Sequence, residues 1–192
     1  PALNRTVKLA AAGLPLLLAL AATALYGLNH LDEGRPARSQ DEPVTPALIA
    51  RGAYLARAGN CQACHSARGA AAWAGGRAVP TPFGTVFSSN LTPDPETGLG
   101  RWSRDDFWAA LHNGRGRNGR LLTPAFPYPN YTLVTRADAD ALLAYLQSLP
   151  AVSQPNRPHE LRFPFGTTLA LATWRALNFR PGVYQPQRQI GR

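Results

Sequence analysis

Cys61-Gln62-Ala63-Cys64-His65 is the one place in the chain where residue types and spacing dictate a chemistry. Two thiols at this spacing can add across the two vinyl groups on one edge of a porphyrin. An imidazole next in sequence is then held beneath the iron as its proximal ligand. This is the c-type haem attachment pattern, and it implies one covalently bound haem c. Other uses of a cysteine pair fit less well. A dithiol redox pair gives His65 no role and expects a βαβ pattern that is missing here. A zinc site needs a second pair of ligands, and the chain has only two cysteines.

Covalent haem attachment takes place outside the cytoplasm and consumes both thiols, so no disulfide framework is expected. The 192 residues suit one domain of about 100–150 residues with tails. The net charge is +9, and all but Lys8 of the 20 basic residues are arginine. These arginines are scattered, without a basic helix or basic–aromatic interleaving. That argues against nucleic acid and for a solvated surface or an acidic protein partner.

Leu9 to Leu28 is a run without a charge, rich in leucine and alanine and long enough to cross a bilayer as a helix. Pro15 would kink it without preventing a span. Ala21-Ala22-Thr23-Ala24 offers small residues for signal cleavage, but the run exceeds the roughly 7–15 apolar residues of a signal core. Arg5 and Lys8 precede the span, while Asp32 and Glu33 follow it. The expectation is a single-pass anchor over residues 1–30, its N-terminus cytoplasmic and the remainder outside.

The rest divides into a polar tether at 31–45, a haem domain at 46–152 and a C-terminal extension at 153–192 suited to partner docking. Thr45-Pro46 should open a helix that runs to about Ala58. Residues 66–101, rich in Gly, Pro, Ser, Thr and Asn, read as one long loop wrapped on a ligand. Ser103 to Asp106 form a capping box for a helix stopped at Gly114, Thr135 caps another ended by Pro150, and Thr167 to Phe179 suggests a last one. No useful strand alternation is present, so the expected fold class is all-α.

Helix, CxxCH, long loop, helix, proline-rich loop, helix is an order that resembles a class I cytochrome c. The likeness is closer to the haem domains in cytochrome subunits of membrane-bound bacterial dehydrogenases for alcohols, gluconate and aldehydes. It is carried by Arg51-Gly52-Ala53-Tyr54-Leu55, Thr81-Pro82-Phe83-Gly84-Thr85, Asn90-Leu91-Thr92-Pro93-Asp94, Thr97-Gly98-Leu99-Gly100 with Trp102, and Ala144-Tyr145-Leu146. The resemblance implies that Gly52 lets its helix approach the one carrying Tyr145 and Leu146. It further implies that Pro82, or else Pro80, offers a carbonyl to the second ring nitrogen of His65. Asn90, Trp102 and Arg77 would hold the haem propionates.

One departure stands out. The family's sixth iron ligand is a methionine in a Pro-Ala-Met-Pro-Tyr segment, whereas here Pro124-Ala125-Phe126-Pro127-Tyr128 stands and the chain has no methionine. Phe126 is expected at the distal haem face, with His112 and His159 as alternative iron ligands, or else that face is open. In the multi-haem relatives, a segment like Arg180 to Pro186 leads into a further haem domain. The chain is expected to be a one-haem version or part of a longer subunit. The expected function is electron transfer in a bacterial inner-membrane dehydrogenase complex, from dehydrogenase to quinone or oxidase, with the haem domain in the periplasm. The alternative is a haem-based ligand sensor or peroxidase-like protein with an open iron face.

Overall fold

Thr45, Ser103, Thr135 and Thr167 each accept a backbone N–H three residues on, from Leu48, Asp106, Asp138 and Ala170. These side-chain caps fix where four helices begin, because each satisfies an N–H that the first turn leaves unpaired. In the computed structural model, which describes residues 2–31, 33, 43–182 and 184, the helices are α1 (Ala2–His30), α2 (Pro46–Ala58), α3 (Cys61–His65), α4 (Arg104–Asn113), α5 (Tyr128–Tyr131), α6 (Arg136–Gln147) and α7 (Thr168–Asn178). Ser103 and Asp106 complete the capping box reciprocally, and Gly114 ends α4 with a left-handed φ of 63°. Most of the expected tether lies outside the described residues.

The core is built where α2 and α4 meet α6. Ala56, Phe107, Trp108, Leu111, Ala139, Leu142, Leu143 and Leu146 are buried in it together with Trp73, which enters from the loop after α3. Gly52 makes the α2–α6 crossing feasible. A methyl group built there would collide with the Ala141 carbonyl and with Tyr145 Cβ, so only glycine allows the two backbones this approach, as the resemblance implied.

The all-α expectation needs correction. Residues 66–101 are not one loop: β1 (Ala78–Thr81) and β2 (Gly84–Phe87) form an antiparallel hairpin, and β3 (Glu160–Leu161) extends it to a three-stranded sheet in the order β1-β2-β3. Pro80 is tolerated because β1 is an edge strand, where a missing N–H costs no ladder bond. The sheet ties the C-terminal extension to the loop that follows the cysteine motif.

Described side chains of α1 are exposed from Leu14 to Ala24, and the helix meets the rest of the molecule only near its end. There Arg175 of α7, 1% exposed, donates to the Asn29 carbonyl, to the Asn113 carbonyl at 3.1 Å and to Glu33 at 2.6 Å. Arg115 holds the same Glu33 oxygen at 2.6 Å. One carboxylate thus joins the C-terminal side of α1 to α7 and to the end of α4.

Candidate haem site

Asn60, at φ 52°, turns the chain sharply out of α2 and into the single helical turn of α3. Cys61 and Cys64 then stand three apart, which places them on one face of that turn. Both are free thiols. Burial pushes the Cys61 thiol up from its ordinary range, the Cys64 sulfur adding to the effect, so Cys61 stays protonated.

His65 closes the turn. Its Nδ1 lies 2.8 Å from the Ser89 carbonyl, which can only accept, so Nδ1 carries the proton and Nε2 keeps its lone pair. Burial pulls the ring's pKa below its ordinary value, outweighing the Ser89 hydrogen bond, and keeps it neutral. The expected Pro82 partner is therefore corrected to Ser89. The Pro82 carbonyl sits in the hairpin turn and is taken by Arg162, and Pro80 is within β1. The physical reason is the hairpin itself, which carries Pro82 away and returns the chain to His65 only at Ser89.

Gly75, missed in the sequence, sets this contact. Its N–H donates to the His65 carbonyl at 2.9 Å, and its φ is 74°. A Cβ there would lie 2.5 Å from the Ser89 carbonyl carbon. His65 is thus held by its backbone through Gly75 and by its ring through Ser89, while Gly75 and Ser89 pack against each other. A glycine-rich run such as Gly75-Gly76 was the only signal available.

Tyr131 links this region to the Phe126 segment. Its hydroxyl donates to the Gly59 carbonyl at 3.2 Å, and a methyl group built on Gly59 would lie 3.4 Å from Cys61 Sγ and 3.7 Å from that hydroxyl. Burial raises the Tyr131 pKa, with the Cys61 and Cys64 sulfurs contributing. Phe126 is half-buried and stacks on Tyr131, with centroids 5.6 Å apart and planes 16° apart.

The other expected residues are differently employed. Asn90 is buried, and its amide donates to Thr97 and to the Val152 carbonyl while its oxygen accepts from Thr92. It braces the loop against the start of the extension and has no donor to spare for a propionate. Arg77 is exposed at the foot of β1. Trp102 borders an opening of about 440 Å³ with Arg117 and Arg120, a basic surround that suits a carboxylate. His112 is buried. It stacks on Trp108 at 4.0 Å, its Nε2 lies 2.7 Å from the Gly182 carbonyl, and its Nδ1 lies 2.8 Å from Asn113 Oδ1. His159 uses its Nδ1 lone pair to accept the Phe87 N–H at 3.2 Å. Both ring nitrogens of His112 are occupied by contacts inside the fold and His159 Nδ1 by the Phe87 N–H, so both are corrected as iron ligands.

The donor set at Cys61, Cys64 and His65 fits a covalently bound haem: two free thiols on one helical face and a neutral imidazole whose Nε2 lone pair is unused. Comparison with known proteins agrees. The family model for cytochrome c matches residues 49–150. The chain is 44% identical over 170 residues to a nicotinate dehydrogenase subunit of Pseudomonas putida, covering 84% of this chain and 14% of that protein. It is also 44% identical over 152 residues to the gluconate 2-dehydrogenase cytochrome c subunit of Pantoea cypripedii, covering 78% and 34% respectively. A diheme cytochrome c-type protein of Cereibacter sphaeroides is 33% identical over 193 residues, covering 94% and 63%. The chain thus spans about a third or less of the length of the first two relatives. The family match runs unbroken through the cysteine motif, the Ser89 carbonyl and the helix that packs on Gly52, and this chain belongs to the cytochrome c family.

Proposed function

We propose that this chain is an electron-transfer subunit, in which Cys61 and Cys64 bind a haem c and His65 Nε2 is its proximal iron ligand. The observation that carries the reading is the 2.8 Å contact of His65 Nδ1 with the Ser89 carbonyl, which fixes the tautomer a metal needs. When bound, the haem supplies reversible one-electron chemistry. The chain's own residues orient the imidazole through Gly75 and Ser89, would exclude water with Phe126 and Tyr131, and would offer Arg117 and Arg120, beside Trp102, to the haem's propionates. A dehydrogenase is the proposed electron donor, because similar proteins are named as cytochrome c subunits of gluconate and alcohol dehydrogenases. Quinone or a terminal oxidase is the proposed acceptor.

α1 supports a membrane setting. Its Gly13–His30 stretch is apolar and long enough to span. We read it as a single-pass anchor with the N-terminus cytoplasmic and the haem domain periplasmic. The decisive experiment on the site is acid–organic extraction of the denatured chain after periplasmic maturation. Haem should stay with the polypeptide, and Cys61→Ala or Cys64→Ala should abolish stable attachment. Haem extracted freely from the unaltered chain would sink the reading.

A second reading draws on the engagement of His112 and His159. With both of them held in hydrogen bonds inside the fold, the alternative is an iron face left open to a small ligand, as in a sensor or peroxidase-like protein. Rapid carbon monoxide binding to the reduced protein with peroxide turnover would support it over electron transfer.

A further inference from the structure

Residues 163–179 contain one charged residue, Arg175, and that guanidinium is buried at 1% exposure. The outward surface of α7 and of the turn before it is therefore uncharged, in a chain of which 16% is Asp, Glu, Lys or Arg. It is also apolar: Phe163 is 88% exposed, Leu169 67% and Leu177 76%. Leu169, Thr173 and Leu177 recur at four-residue intervals and form one ridge, while Arg175, Ala176 and Phe179 turn inward. Trp174 and Phe179 close the inner side edge-on against Tyr128, with centroids 6.3 and 4.9 Å away.

The location of this ridge matters as much as its chemistry. Asn29, in the last turn of α1, donates to the Ala172 carbonyl at 3.0 Å, and Arg175 donates back to the Asn29 carbonyl. The middle of α7 is therefore bonded to the residue at which the apolar part of α1 ends. A helix of this length extends only about 8 Å either way from its centre. With α1 across a bilayer, all of α7 lies within about a helix diameter of the headgroups. Arg162 and Arg180 flank it, exposed and without a carboxylate partner among the described residues. An apolar ridge between arginines is the pattern of a segment lying in the membrane interface, where the apolar side chains reach the acyl boundary and the cations meet anionic headgroups.

We infer that α7 and the Phe163–Thr167 turn form a membrane-interface docking surface, with Phe163, Leu169 and Leu177 inserted and Arg162 and Arg180 on anionic lipid. The inference rests on α1 being a span. A bilayer is favoured over a protein partner because the ridge is bonded to the end of that span and carries no exposed charge between its arginines to specify a protein.

The test uses the full haem-loaded chain reconstituted in phosphatidylcholine–phosphatidylglycerol vesicles that contain a phospholipid with a photoactivatable diazirine high on the acyl chain. After illumination, mass spectrometry locates the adducts. Adducts are expected on α1 and on residues 163–177. In the double variant Leu169→Gln, Leu177→Gln, adducts in the second segment should fall at least several-fold while those on α1 persist, with unchanged haem absorbance as the folding control. Adducts on α1 alone would overturn the inference and leave the span intact. Adducts on neither helix would sink both readings. In native membranes, photocrosslinks from a diazirine-bearing residue at position 169 to another polypeptide instead of lipid would also overturn it, in favour of a protein partner.

Discussion

Phe126 and Tyr131 lie ring on ring, 5.6 Å between centroids, and Tyr131 in turn bonds the carbonyl two residues before Cys61. The segment that carries a methionine in the family is therefore fastened to the cysteine motif by aromatic stacking and one hydroxyl. Phe126→Met removes the ring and supplies a thioether. The expected outcome is a near-infrared sulfur-to-iron band in the oxidised protein and a higher midpoint potential, since thioether ligation raises it. An unchanged spectrum and potential would place position 126 away from the iron.

Gly75→Ala tests the grip on His65. A non-glycine residue at this φ costs about 1–2 kcal/mol, before the push on the Ser89 carbonyl is counted. Thermal unfolding should come several degrees lower, with poorer haem loading. Ser89→Ala is the control: the partner of His65 is a backbone carbonyl, so loading and midpoint should match the unaltered protein.

Alkaline stability should depend on Tyr128. Burial pushes its pKa up to about 12, with Arg175 acting weakly the other way. Between pH 10 and 12 the unfolded chain releases this proton while the folded one keeps it, so stability falls as pH rises through that window. The contribution is about 2–3 kcal/mol. It is fully present below pH 10. Urea titrations at pH 9 and 11.5 should show a smaller loss for Tyr128→Phe than for the unaltered protein, and equal losses would refute the assignment.

Arg175→Met should destabilise the molecule by about 1–3 kcal/mol, because the Asn29 and Asn113 carbonyls lose a charged donor. Glu33 keeps Arg115, which limits the damage. A denaturant midpoint within error of the unaltered protein would mean that water replaces the guanidinium there.

The helices were legible because Thr45, Ser103, Thr135 and Thr167 cap them locally, and a cap needs only three residues to be recognised. The cysteine motif was legible for the same reason. The sheet was not: β1 and β2 are four residues each, Pro80 argues against a strand, and β3 arrives from more than seventy residues away. That hairpin also displaced the His65 partner from Pro82 to Ser89. His112 and Asn90 were misjudged because their partners, Gly182 and Val152, lie about sixty residues or more away, beyond any local pattern.

The double hold on His65 has a kinetic meaning. A histidine fixed at its backbone carbonyl by Gly75 and at its ring by Ser89, with those two braced against each other, has little room to rock or retract. For a one-electron carrier, the barrier to transfer includes the energy of rearranging the ligands between the two charge states. With His65 as the proposed iron ligand, stiffness at this one side chain would keep that rearrangement small, and the loop after α3 would contribute speed as well as binding.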